Sequence, residues 1–118
     1  MVSRARVVHG RFEEHSKLFR DLLLGFVKIH VLHNASHDAV YGAGLVVELR
    51  QHGYTLSPGV LYPLLHNLEG SGFLTREERS IEGRIRKYYW ITPLGEQALR
   101  EAQNKVADLA RLTGSTRV

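Results

Sequence analysis

The hydrophobic period of this sequence changes abruptly between residues 57 and 92, and that change leaves few folds open. Leu61, Leu64, Leu65 and Leu68 recur at spacings of three and four, one face of a helix. They follow Ser57 and Pro58, which suit an N-cap and a first helical residue. Gly70-Ser71-Gly72 closes that helix, expected over about 58–71. The runs 73–79 and 85–91 then alternate or carry β-branched and aromatic residues, and a Gly-containing turn at 81–83 joins them into a hairpin. Pro63 removes one bond to the Gly59 carbonyl and is expected to bend the first turns of the helix.

The flanks are helical. Leu18, Leu22, Gly25/Phe26, Ile29 and Leu32/His33 give a wide apolar stripe over 12–33, so more than one surface must cover it. Residues 34–38 read as a break, with Ser36 or Asp38 capping a second helix over 39–51. In that helix Val40, Leu45, Val46 and Leu49 are apolar, and Gly53 is the C-cap. Gly42 and Gly44 each cost about 1 kcal/mol relative to Ala, for which close approach of another backbone is the expected reason. Thr92 and Pro93 start a last helix reaching Thr113, in which Leu99, Ala102, Val106, Leu109 and Thr113 form a narrow seam suited to another helix.

A chain of 118 residues is one domain with room for a core, and 43% hydrophobic residues rule out wholesale disorder. The absence of cysteine excludes disulfides, thiolate metal sites and cysteine nucleophiles. No apolar run reaches the roughly 20 residues that span a bilayer, and the N-terminus lacks a signal-peptide pattern, so no membrane partner and a cytoplasmic location are expected. The net charge of +4 is unevenly placed. Arg4, Arg6, Arg11, Lys17 and Arg20 crowd the front, and Arg76, Arg79, Arg84, Arg86 and Lys87 crowd the hairpin. Two solvated stretches would explain this, as would an anionic partner.

Helix, helix, tight turn, helix, two-stranded hairpin, helix is the order of a winged helix-turn-helix, a mainly α fold with a two-stranded β wing. The expected organisation is a basic N-terminal arm over 1–11, the DNA-binding domain over 12–91, a C-terminal dimerisation helix over 92–113 and a tail over 114–118. With its leucines inward, the 58–71 helix turns Gly59, Tyr62, Pro63 and His66 outward, with Asn67 at the edge. Such a face suits the major groove, which is about 12 Å wide. Arg84, Arg86 and Lys87 at the hairpin tip suit a sugar-phosphate backbone or the minor groove.

The blocks Tyr41-Gly42, Leu56-Ser-Pro-Gly-Val-Leu-Tyr-Pro-Leu-Leu65, Leu68-Glu69, Gly83-Arg84-Ile-Arg-Lys-Tyr-Tyr89, Ile91-Thr92 and Gly95 resemble the PadR family of transcriptional regulators over about residues 20–100. The resemblance implies a homodimeric repressor on a two-fold symmetric double-stranded DNA operator, released by a small ligand. It also implies the small subgroup, dimerising through one C-terminal helix and the N-terminal helix. The dimer contacts expected are Leu22, Phe26, Leu99, Ala102, Val106 and Leu109. The DNA contacts expected are Tyr62, His66 and Asn67 at bases, with Ser57 and Tyr41 near phosphates. Members usually carry Lys or Arg after Leu-Tyr-Pro-Leu-Leu; here His66-Asn67 stand there, and 58–72 holds no cation. Phosphate neutralisation therefore leans on the wing and the arm.

Other sites are weaker. One of Tyr88 and Tyr89 faces the core and the other faces out. Trp90 reads as packing, or as the lining of a cavity for a small flat aromatic ligand. His30, His33 and His37 at i, i+3, i+7 could bind zinc or nickel, but a helix ending near Asn34 would throw His37 off the shared face. No catalytic arrangement and no cofactor motif is present. The readings that compete with a repressor are a winged-helix protein-interaction module and a metal-responsive sensor.

Overall fold

The computed structural model describes residues 16–114. Its order is α1 (Lys17–His37), α2 (Gly42–Gln51), α3 (Pro58–Gly70), β1 (Leu74–Ile81), β2 (Arg84–Ile91) and α4 (Pro93–Leu112). This is the expected winged helix-turn-helix followed by one helix. The arm at 1–11 and the tail from 115 lie outside the described residues.

One apolar core joins all the helices. Val27, Val31, Leu32 and Ala35 come from α1, Leu45 and Leu49 from α2, and Leu61, Leu64, Leu65 and Leu68 from α3. Leu74, Tyr89 and Leu99 close it, and no described polar or charged residue is buried. Of the two hairpin tyrosines, Tyr89 faces in. Leu99 was expected in a dimer seam but belongs to this core, because α4 packs against α1 and β2 of its own chain.

Several boundaries differ from expectation. The expected helical residues 12–15 lie outside the described residues, and helix α1 is described from Lys17, with the Ser16 side chain accepting from the Phe19 amide. It runs through the expected break to His37. Burial of Ala35 favours continuing the helix, and Ser36 donates to the His33 carbonyl from within it rather than capping the next one. Asp38 to Tyr41 are extended, and Val40, expected in α2, pairs with Tyr89 instead. Val40 thereby adds a one-residue bridge to the free edge of β2.

Helices α2 and α3 end alike. Tyr54 donates to the Leu49 carbonyl and Gly53 to Arg50; Phe73 donates to Leu68 and Gly72 to Glu69. These paired bonds satisfy the last carbonyls and require a left-handed residue, which Gly53 and Gly72 supply with φ of 91° and 89°. Ser57 holds the N-cap position of α3, but only its carbonyl serves, accepting from Val60 and Leu61; its side chain makes no capping bond.

The hairpin reverses through two residues, Glu82 and Gly83, with φ of 52° and 80°. Positive φ at both positions matches the right-handed twist of the strands. The turn sets the register, from Ile81 opposite Arg84 to Leu74 opposite Ile91. At the far end the Thr92 side chain accepts from the Gly95 amide and donates to the Gly72 carbonyl at 2.6 Å. One hydroxyl thus ties the start of α4 to the end of α3.

Candidate nucleic-acid interface

The inward leucines of α3 leave Tyr62, Pro63, His66 and Asn67 exposed, with Tyr62 at 50%. Opposite them the hairpin projects its tip. Between the two lies an open groove of about 900 Å3. Tyr41, Tyr62, Pro63 and His66 line it, and so do Arg84, Arg86 and Lys87 of the hairpin. Seven of the residues expected to touch DNA thus border one space. Ser57, Gly59 and Asn67 are exposed on α3 or just before it but do not line the groove.

Each wall has a local cause. The Tyr62 ring lies where a Cβ on Gly42 would be, and the Tyr41 ring lies against Gly44. Both glycines of α2 therefore make room for tyrosine rings, not for the backbone approach expected. Arg76 pairs across the hairpin with Tyr89 and reaches Glu69 of α3 at 3.8 Å, bracing the hairpin against the helix. Among the described residues, Arg84, Arg86 and Lys87 form no salt bridge, and the Glu82 carboxylate acts on Arg86 only through space. Their charge remains available to an anion. Arg86 rests on the Tyr41 ring, 4.3 Å from its centroid. Its pKa is held above the ordinary arginine value, first by the Tyr88 side chain.

Sequence reasoning missed Arg76, Arg79, Tyr88 and the bracing carboxylate Glu69. The hairpin register could have found Arg76, since it places that residue beside the inward Tyr89. Trp90 lines neither this groove nor the smaller cleft of about 310 Å3 by Asn34, Asp38 and Glu48. Its ring is covered by the Arg79 guanidinium at 5.0 Å.

The histidines divide into pairs. His33 meets His37 edge to face at 4.6 Å, since α1 carries both. His30 instead packs on His52 at 4.9 Å and Tyr54 at 5.1 Å. Burial and the neighbouring His52 hold the His30 pKa below the ordinary histidine value. Among the described residues no group of three or more histidines or carboxylates is placed to hold a metal ion, His30, His33 and His37 included. No helix among them is long and apolar enough to cross a membrane.

The chain matches the family model described as Transcriptional regulator PadR-like family over residues 31–101. It is 46% identical over 92 residues to the transcriptional regulator Rv3488 of Mycobacterium tuberculosis, covering 78% of this chain and 86% of that protein. A PadR family transcriptional regulator from Eggerthella lenta superposes with a TM-score of 0.74 at 32% identity, over 83% of this chain and 87% of that one. A PadR-like regulator from Bacillus cereus superposes at 0.72 with 28% identity, over 80% and 94%. With the groove, the hairpin and these relatives in agreement, the chain belongs to the PadR-like family of transcriptional regulators.

Proposed function

We propose that this regulator is a homodimeric repressor that holds a two-fold symmetric DNA duplex in the groove between α3 and the wing. The observation that carries this reading is the shared groove: Tyr62 and His66 of α3 and the cations Arg84, Arg86 and Lys87 of the wing border one space. In this reading α3 enters the major groove, with Tyr62 and His66 at base edges and Asn67 beside them. Ser57, Gly59 and Pro63 approach the backbone at the start of the helix. The wing straddles the adjacent phosphates through Arg84, Arg86 and Lys87, with Tyr41 beside them. Half-sites lie about 34 Å apart, one turn of the duplex.

Dimerisation is supported by exposed apolar side chains on α1 and α4, two helices that pack together. Leu22 and Phe26 on α1 and Val106 and Leu109 on α4 are all at least 44% exposed, and Ala102 of α4 is half-buried. The working domains are the DNA-binding unit over 12–91, preceded by the basic arm, and the dimer helix over 92–113, in a cytoplasmic protein. Release by a small aromatic ligand completes the reading, at a site other than Trp90, whose ring Arg79 covers.

The test is selection of bound duplexes from a random pool, followed by affinity against salt. A palindromic site should emerge. About four to six phosphate contacts per dimer predict a slope of log K on log salt near −4 to −5. Binding without sequence preference, or a preference for an acidic protein over any duplex, would favour the interaction-module reading instead.

A further inference from the structure

The hairpin face turned away from the core carries an unfavourable arrangement. Its register sets Arg79 directly opposite Arg86. Like charges at such a cross-strand position repel. Each guanidinium has an aromatic seat that accounts for the arrangement. Arg79 lies over Tyr88 at 4.7 Å and over Trp90 at 5.0 Å, with Glu77 at 3.7 Å. Arg86 lies over Tyr41 at 4.3 Å. The bridge between Val40 and Tyr89 brings Tyr41 alongside Tyr88, with ring centroids 5.5 Å apart. Cations and rings therefore alternate from the wing to the first residue before α2.

We propose that Tyr41 is a positioning residue for Arg86, seating its guanidinium so that the wing meets the DNA backbone already aimed. The proposal rests on the DNA-binding reading above. A guanidinium uses its face on a ring and its edge for hydrogen bonds, so stacking on Tyr41 leaves N–H donors free for a phosphate. Seating it beforehand removes rotamer entropy that a free arginine would lose on binding. It also joins the wing to the helix-turn-helix, because Tyr41 sits at the N-cap of α2 and Arg86 on β2. Arg84 and Lys87 have no aromatic seat of this kind among the described residues.

The test compares Tyr41→Phe and Tyr41→Leu, alone and combined with Arg86→Ala, by anisotropy on the selected duplex. Trp90 emission during denaturation confirms that each variant is folded. A cation–π contact at an exposed site is worth about two- to fivefold in binding. Tyr41→Leu should lose that much, and Tyr41→Phe, which keeps the ring, should lose clearly less than Tyr41→Leu. In the Arg86→Ala background Tyr41→Leu should cost nothing further, the mark of a coupled pair. Equal losses for Phe and Leu at position 41 would make the hydroxyl a direct DNA contact and overturn the proposal. Additive losses with Arg86→Ala, or tighter binding by Tyr41→Leu, would do the same. If the unaltered chain binds no duplex, the repressor reading itself fails, an outcome separate from all of these.

Discussion

The aromatic ring of Tyr62 occupies the space that a side chain on Gly42 would fill. In most helices replacing Gly by Ala gains about 1 kcal/mol, from backbone entropy. Here the added methyl must push Tyr62, a wall of the groove, out of place. Gly42→Ala should therefore leave the denaturation midpoint close to that of the native chain while weakening duplex binding about tenfold, the equivalent of about 1.4 kcal/mol. Retained affinity would show that Tyr62 does not depend on this seat.

Gly95 behaves differently. A Cβ there would run into the Phe73 carbonyl and the Ile91 side chain where α4 leaves the hairpin. Backbone cannot yield as a tyrosine ring can, so Gly95→Ala should destabilise the fold by about 1–3 kcal/mol. Urea denaturation followed by Trp90 emission measures this. A midpoint equal to the native value would mean that the junction relaxes without cost.

How much could be read beforehand depended on whether a feature repeats along the chain. The leucines of α3, the strand runs and the Thr92-Pro93 start follow local periods, and the hairpin and both helix boundaries near them came out close to expectation. The end of α1 did not. Asn34, Ser36 and Asp38 read as a break, yet burial of Ala35 carries the helix through them. Leu99 lay on the same helical seam as Val106 and Leu109, and only the contact of α4 with α1 separates the core residue from the surface ones. The arginine and tyrosine stack was invisible because Tyr41 and Arg86 are far apart in sequence. They meet through the single bridge of Val40 to Tyr89, which no local pattern announces.

The lowered pKa of His30 predicts an acid-sensitive fold. Burial disfavours its charged form, and a charge on His52 or His33 would repel it; only Glu48 acts the other way. A base whose folded pKa is depressed binds its proton more readily when unfolded, so stability falls as pH drops through the unfolded value near 6.5. The loss levels off below the folded pKa. Thermal midpoints measured from pH 8 to pH 5 should decline for the native chain and decline less for His30→Gln. Parallel curves for the two proteins would show that His30 does not titrate against folding.

Leu99 and Leu109 lie ten residues apart on α4 and are 6% and 58% exposed. Substitution should separate core from interface. Leu99→Ala removes a buried side chain and should cost about 2–5 kcal/mol of stability. Leu109→Glu leaves the buried core unchanged but places a carboxylate among the exposed apolar residues that include Val106, Leu22 and Phe26. It should convert a dimer into a folded monomer by sedimentation, with half-sites no longer bound in tandem and duplex affinity down at least 100-fold, about 2.7 kcal/mol. A Leu109→Glu protein that sediments as a dimer and keeps its DNA affinity would mean that the two copies meet through some other surface.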